Sequence, residues 1–211
     1  IEQHGRQIGR GIVRFEDELV VVRGSAPGEV GLHTVLNEPR PRLATEEDAL
    51  RVEHLGYAYD PEQPLLTDVS FEVAPGRTVA VVGATASGKS TLTMLLARLF
   101  DPDSGRILLD GVDLRDLAAG ELAGAVAVVP QTAFLFDDTV RGNVALGADV
   151  SDDEVWAALR IAQADGFVAA LPQGLDTQLG ERGASLSGGQ RHRLALARAL
   201  VRRPRLLVLD D

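Results

Sequence analysis

The sequence predicts an α/β fold with a largely parallel central sheet, and three observations carry that prediction. Two continuous apolar, β-branched runs, TVAVVG (78–83) and RLLVLDD (205–211), read as strands buried on both faces. A glycine-rich turn joins the first run to STLTMLLARLF (90–100), which has helical period. A second helical segment, LSGGQRHRLALARALVRR (186–203), leads into the last run. Strands that alternate with helices place their crossovers on the faces of a mainly parallel sheet.

The remaining elements follow in chain order. FEDELVVVRG (15–24) fits a strand or a short helix end, and GLHTVLNEPRPRLATEEDA (31–49), with two prolines and an acidic run, reads as a linker. Residues 1–50 carry no recognisable chemistry and are expected to be a linker or the trailing end of a preceding domain. RVEHLGYAY (51–59) alternates as a strand does, VSFEVA (69–74) is another, and PGR (75–77) is a turn between strands. RILLDG (106–111) and AVAVVPQ (125–131) are further strands. SDDEVWAALRIAQA (151–164) opens on an N-cap serine, Ser151, with acidic residues in its first turn, which suits the positive end of a helix.

Composition narrows the function classes. The 211 residues carry a formal charge of −10, against the basic face a nucleic-acid binder needs, so no nucleic-acid partner is expected. There is no cysteine, which removes disulfides and thiolate metal sites, and the 4 histidines show no metal-ligand spacing. No apolar run is long enough to span a bilayer, and the first residues lack the apolar stretch of a signal peptide. The 45% apolar content supports a sizeable core.

The chemistry is concentrated in GATASGKST, residues 83–91. Of 21 Lys plus Arg residues, Lys89 is the single lysine. Gly83, Gly88, Lys89 and Ser90 meet the pattern G-x-x-x-x-G-K-[ST], with a buried strand before it and a helix after it. Small residues let backbone N–H groups curl around phosphate oxygens, and the helix N-terminus adds the positive end of its dipole. A compact ammonium on a thin stem fits inside such a loop, whereas a planar guanidinium does not. Ser90 offers a hydroxyl to Mg²⁺, and a buried strand that ends in Asp210 supplies the carboxylate that Mg²⁺ beside a phosphate needs. These residues together predict a nucleoside triphosphate held with Mg²⁺.

LSGGQ (186–190), opening a helix after the phosphate loop, makes the whole pattern resemble the nucleotide-binding domain of ATP-binding cassette (ABC) transporters. FLFDDTVRGNVALG (134–147) and LPQGLDTQLGERGASLSGGQ (171–190), with GERG (180–183) just before the signature, are similar to the exporter (multidrug and lipid) type. The resemblance covers 51–211. It implies a P-loop NTPase fold with an antiparallel β subdomain near its N-terminus and an α-helical signature subdomain, and it implies ATP and Mg²⁺ as ligands.

Residue by residue, Tyr59 resembles the aromatic that stacks on adenine, with Tyr57 as its competitor. Gly83, Ala84, Thr85, Ala86, Ser87, Gly88, Lys89, Ser90 and Thr91 resemble the Walker A loop, Gln131 the Q-loop glutamine that senses Mg²⁺, and Asp210 the Walker B aspartate. Leu186, Ser187, Gly188, Gly189 and Gln190 resemble the signature that completes the ATP site of a second cassette. The implied partners are that second cassette and a membrane-spanning exporter domain, with the whole at the cytoplasmic face of the cell membrane. TVLNEP (34–39) resembles the join between the two domains.

Two departures qualify the expected activity. The family places Glu, the general base, directly after the Walker B aspartate, and this chain has Asp211, one methylene shorter. A displacement of about 1 Å can cost on the order of a hundredfold in rate, so the own site is expected to turn over slowly and a heterodimer is favoured. The family's D-loop and switch histidine also follow the last strand, and neither lies within this sequence. Alternatives are a nucleotide-binding half without useful hydrolysis, a soluble ABC protein of repair or translation, and a small-molecule kinase, which would have no need of LSGGQ.

Overall fold

The computed structural model describes residues 12–14, 19–24, 50–84, 86–180, 183 and 185–210. The chain divides into two compact units. The first holds residues up to Val128, apart from 30–37, together with the final segment from Arg205; the second holds the rest.

The first unit is built on two sheets. In the antiparallel four-stranded sheet, β3 (Leu50–Tyr57) pairs with β4 (Leu66–Val73) and β6 (Ser104–Leu109), and β6 turns back into β7 (Val112–Asp113). The hairpin turn is Asp110–Gly111, and both residues take positive φ (50° and 79°), as a tight two-residue turn requires. This is the antiparallel β region that the resemblance implied.

The five-stranded sheet runs β1 (Ile12–Arg14), β5 (Thr78–Val82), β2 (Leu19–Gly24), β9 (Leu206–Asp210), β8 (Val126–Val129). It is mixed, which corrects the expectation of a largely parallel sheet. β1 runs parallel to β5, but β2 is antiparallel to both β5 and β9. The physical reason lies in LVVVRG. An apolar, β-branched run inserted between two apolar strands donates to ladders on both of its edges, so β5 and β9 are not neighbours. The strand-or-helix ambiguity of 15–24 resolves as a strand over Leu19–Gly24.

The core of this unit joins Leu50, Val52 and Leu55 of β3, Val79 and Val81 of β5, and Leu206 and Val208 of β9. Leu92, Leu95 and Leu96 on helix α1 (Lys89–Leu96) complete it. α1 stops short of the residue 100 that its period suggested. Arg98 adopts a left-handed φ of 49°, its N–H bonds Leu95 O, and the N–H of Leu99 reaches back to Met94 O, a Schellman ending. The Arg98 guanidinium then donates to the carbonyls of Leu114 and Leu117, which accounts for an arginine where glycine is usual. Helix α2 (Ala119–Ala125), seven residues long, leads into β8.

The second unit is helical: α3 (Val140–Ala145), α4 (Asp152–Ile161), α5 (Asp165–Ala169) and α6 (Gly188–Val201). α3 and α4 both pack on α6, burying Val140, Val144, Val155, Leu159 and Leu194. The predicted cap of α4 is present. The Ser151 hydroxyl accepts from Glu154 N–H, and the Glu154 carboxylate accepts from Ser151 N–H at 2.9 Å.

Candidate functional site

β5 delivers the chain into the loop 83–88, and α1 leaves it at Lys89. The loop closes because Gly88 takes φ +92°, and a Cβ there would meet Leu66 Cδ2 at 2.8 Å. Ala86 also takes positive φ, 67°. Lys89 is 7% exposed and folds back over its own loop. Its Nζ donates to Gly83 O and Ala84 O, each at 2.7 Å. An ammonium held by backbone carbonyls inside a glycine turn sets a positive charge within the loop, an arrangement suited to phosphate oxygens. Thr85 lies outside the described residues.

The second anchor lies where β9 ends. Ser90 Oγ donates to Asp210 Oδ1 at 3.5 Å, across 120 positions of sequence. The pairing expected from sequence is therefore present in space: a hydroxyl and a carboxylate beside the ammonium loop. Both are hard oxygen donors, the type Mg²⁺ takes alongside phosphate and water, so these residues fit that ion. Among the described residues no group of three or more His, Cys, Asp or Glu forms a metal cluster of its own. The start of β9 is fixed by a pair that sequence reasoning missed. Arg205 makes a bidentate contact with Asp110 at 2.9 and 3.0 Å, and Asp110 is 9% exposed. Asp-Gly signals the turn at 110–111, but nothing local in sequence signals its partner.

Tyr59 stands beyond β3 and is 63% exposed. Its ring meets Tyr57 edge-on at 5.0 Å, and Tyr57 stacks on Phe100 at 4.7 Å. Partial burial, with Tyr59 and Asp103 beside it, pushes the Tyr57 phenol above its ordinary value. Tyr57 thus packs inside the cluster and Tyr59 offers the open face. Phe100, the third ring, was not singled out in the sequence.

The remaining predicted residues belong to the second unit. Gln131 is exposed in the segment after β8. Ser187 caps α6, its hydroxyl accepting from Gln190 N–H at 3.3 Å, while Gln190 Oε1 accepts from Ser187 N–H at 2.8 Å. Leu186 is buried, and its carbonyl accepts from Arg191 at 2.5 Å. The serine and glutamine of LSGGQ are therefore engaged in the cap. The N–H groups of Gly188 and Gly189, in the first turn, are the ones a helix leaves without an intrahelical acceptor. Asp211 lies outside the described residues, as do Glu181 and Arg182 of GERG.

The chain is similar to known proteins over most of its length. A family model described as ABC transporter matches residues 66–211. The ATP-dependent lipid A-core flippase of Thiobacillus denitrificans is 43% identical over 208 residues, 97% of this chain and 34% of that protein. The ATM1-type heavy metal exporter of Novosphingobium aromaticivorans is 44% identical over 172 residues, 81% of this chain and 28% of that protein. The chain thus spans about a third or less of the length of these curated relatives. Among solved structures, a bacterial Atm1-family ABC exporter with ATP bound superposes with a TM-score of 0.68 at 42% identity, covering 78% of this chain and 29% of that one. On the strength of the family match and these identities, the chain belongs to the ABC transporter family, as an ATP-binding domain related to its exporter-type members.

Proposed function

We propose that this chain is the ATP-hydrolysing motor of an exporter, working head to tail with a second cassette and coupled to a membrane-spanning domain. The observation that carries the reading is the convergence of Lys89, Ser90 and Asp210 around one loop. In this reading the nucleotide and signature motifs lie in 51–211, and residues 1–50, which lend β1 and β2 to the five-stranded sheet, would be a linker or the trailing end of a membrane domain. Among the described residues no helix is long and apolar enough to cross a membrane. The cassette would sit at the cytoplasmic face.

The chain's own residues divide the work. Lys89 exchanges carbonyl partners for β- and γ-phosphate oxygens and neutralises charge that builds there during transfer. The N–H groups of the loop 83–88 and of the first turn of α1 orient the phosphates. Ser90 and Asp210, with Gln131, would hold Mg²⁺, which supplies charge stabilisation to the phosphates when bound. Tyr59 would stack on the base. Gly188 and Gly189, at the positive end of α6, would grip the γ-phosphate of the partner's ATP, so that ATP joins two cassettes and its hydrolysis releases them.

Asp211 in place of Glu favours a second reading, a slow site in a heterodimer whose partner keeps the Glu. The two readings part in one experiment. Asp211→Glu in the full-length protein with its partner should raise ATP turnover at this site roughly tenfold to a hundredfold, read by vanadate trapping of ADP on each subunit. An unchanged trapping yield on this subunit would remove the slow-site reading. Loss of ATP binding in Lys89→Ala tests the motor reading itself; retained binding would sink it.

A further inference from the structure

The Tyr59 ring is mostly exposed, yet one end is tied down. Its hydroxyl lies 3.2 Å from Thr91 Oγ1, and Thr91 is 6% exposed on the first turn of α1. Thr91 follows Lys89 and Ser90 directly, so the ring proposed as the base platform is bonded to the helix that leaves the phosphate loop. The backbone beside the ring is also fixed. Ala58 N–H donates to the Asp103 carboxylate at 2.8 Å, and Leu65 N–H donates to Tyr57 O at 3.0 Å. A side chain this exposed would otherwise sample several rotamers, and holding it costs entropy that binding must supply. A β-branched threonine buried on a helix is stiff at χ1, so its hydroxyl is a fixed point. Edge contacts to Tyr57 and to Phe100, the latter at 6.2 Å, limit the ring's tilt but leave its long axis to the hydroxyl.

We propose that the Tyr59–Thr91 hydrogen bond makes Tyr59 a positioning residue as well as a stacking one. Through the hydroxyl, the base platform and the phosphate loop are pre-organised as one unit, and the benefit goes only to ligands that carry both an aromatic base and phosphates. The proposal rests on the reading of Tyr59 as the base platform. It separates two roles of one side chain: the ring provides area, and the hydroxyl provides placement.

The test is calorimetric titration of the full chain with ATP and with inorganic tripolyphosphate, which has no base. Tyr59→Phe keeps the ring and should weaken ATP binding about three- to tenfold, the worth of one hydrogen bond. Tripolyphosphate affinity should stay within about twofold on the same principle. Thr91→Val should lower the ratio of ATP to tripolyphosphate affinity by the same factor, and the double variant should lower it no further. Wild-type ATP affinity in Tyr59→Phe, with a clear loss in Tyr59→Ala, would overturn the positioning role and leave the stacking role standing. Wild-type ATP affinity in Tyr59→Ala would overturn both the positioning role and the platform reading. Equal losses for ATP and tripolyphosphate in Tyr59→Phe would also overturn it, since the hydroxyl would then be a loop support only.

Discussion

Lys89 and Arg198 are both cations drawn out of water, one in each compact unit, and they are held in opposite ways. The Lys89 ammonium bonds the carbonyls of Gly83 and Ala84, six and five residues away. The Arg198 guanidinium reaches Asn143 O at 2.7 Å, Asn143 Oδ1 at 2.9 Å and Phe134 O at 2.8 Å, across 55 to 64 positions. It also lies 5.4 Å over the Phe136 ring, and burial pushes its pKa below the ordinary arginine value. The first cation is held by backbone that a short motif shapes. The second is held by distant backbone carbonyls, one side-chain amide and an aromatic ring that only tertiary packing assembles. The Lys89 site is therefore set by a local motif, and the Arg198 site by distant polar bonds.

The hub of the second arrangement is Asn143, 1% exposed. Its Nδ2 donates to Phe136 O at 3.0 Å and Thr139 O at 3.1 Å, while Oδ1 accepts from Phe136 N–H and Arg198. Asn143→Ala would leave Arg198 Nη2 and Phe136 N–H without that acceptor, which predicts a loss of about 3 kcal/mol. Hydrogen exchange followed by peptide should show protection lost across α3 and α6 and kept across β5 and α1. Equal losses in both sets would break the contrast between the units.

A smaller effect is expected on the backbone-made side. Gly88→Ala forces a side chain into φ +92° and against Leu66. The cost is about 1–2 kcal/mol of stability. Its larger consequence is for phosphate, because the N–H groups must keep their curl. ATP affinity should fall by at least about tenfold, as even a small displacement of a positioned group is costly. Unchanged affinity in a folded variant would mean that Lys89, rather than loop shape, carries the binding.

These two positions also explain what the sequence made legible. The phosphate loop, the strand to Asp210, the cap at Ser151 and the helix opened by LSGGQ were readable because their determinants are contiguous. α2, α3 and α5 have 5 to 7 residues, too few for a helical period to stand out, and none was foreseen. Asn143, Arg198 and the Arg205–Asp110 pair were missed for a related reason: each partner looks ordinary until the fold joins them. The insertion of β2 escaped because an apolar run specifies burial but not which edges it pairs with.

The two capping boxes offer the finest form of the comparison, since both lie in the second unit and differ by one atom type. Glu154 closes the box of α4 and Gln190 the box of α6. The Ser151 N–H bond, then the Ser151 hydroxyl, with Arg203 nearby, hold the Glu154 carboxyl below the usual glutamate range. Because the folded value lies below the unfolded one, its contribution is present above the usual range and is lost as pH falls through the folded value. Gln190 has no such titration, and it leaves the start of α6 without a carboxylate that would repel an incoming phosphate. Glu154→Gln should therefore flatten the acid limb of α4 protection measured by hydrogen exchange. Gln190→Glu should create an acid limb in α6 while preserving its cap at neutral pH. An α6 indifferent to pH in that variant would mean that the N-terminal cap is not what holds the first turn of the signature helix.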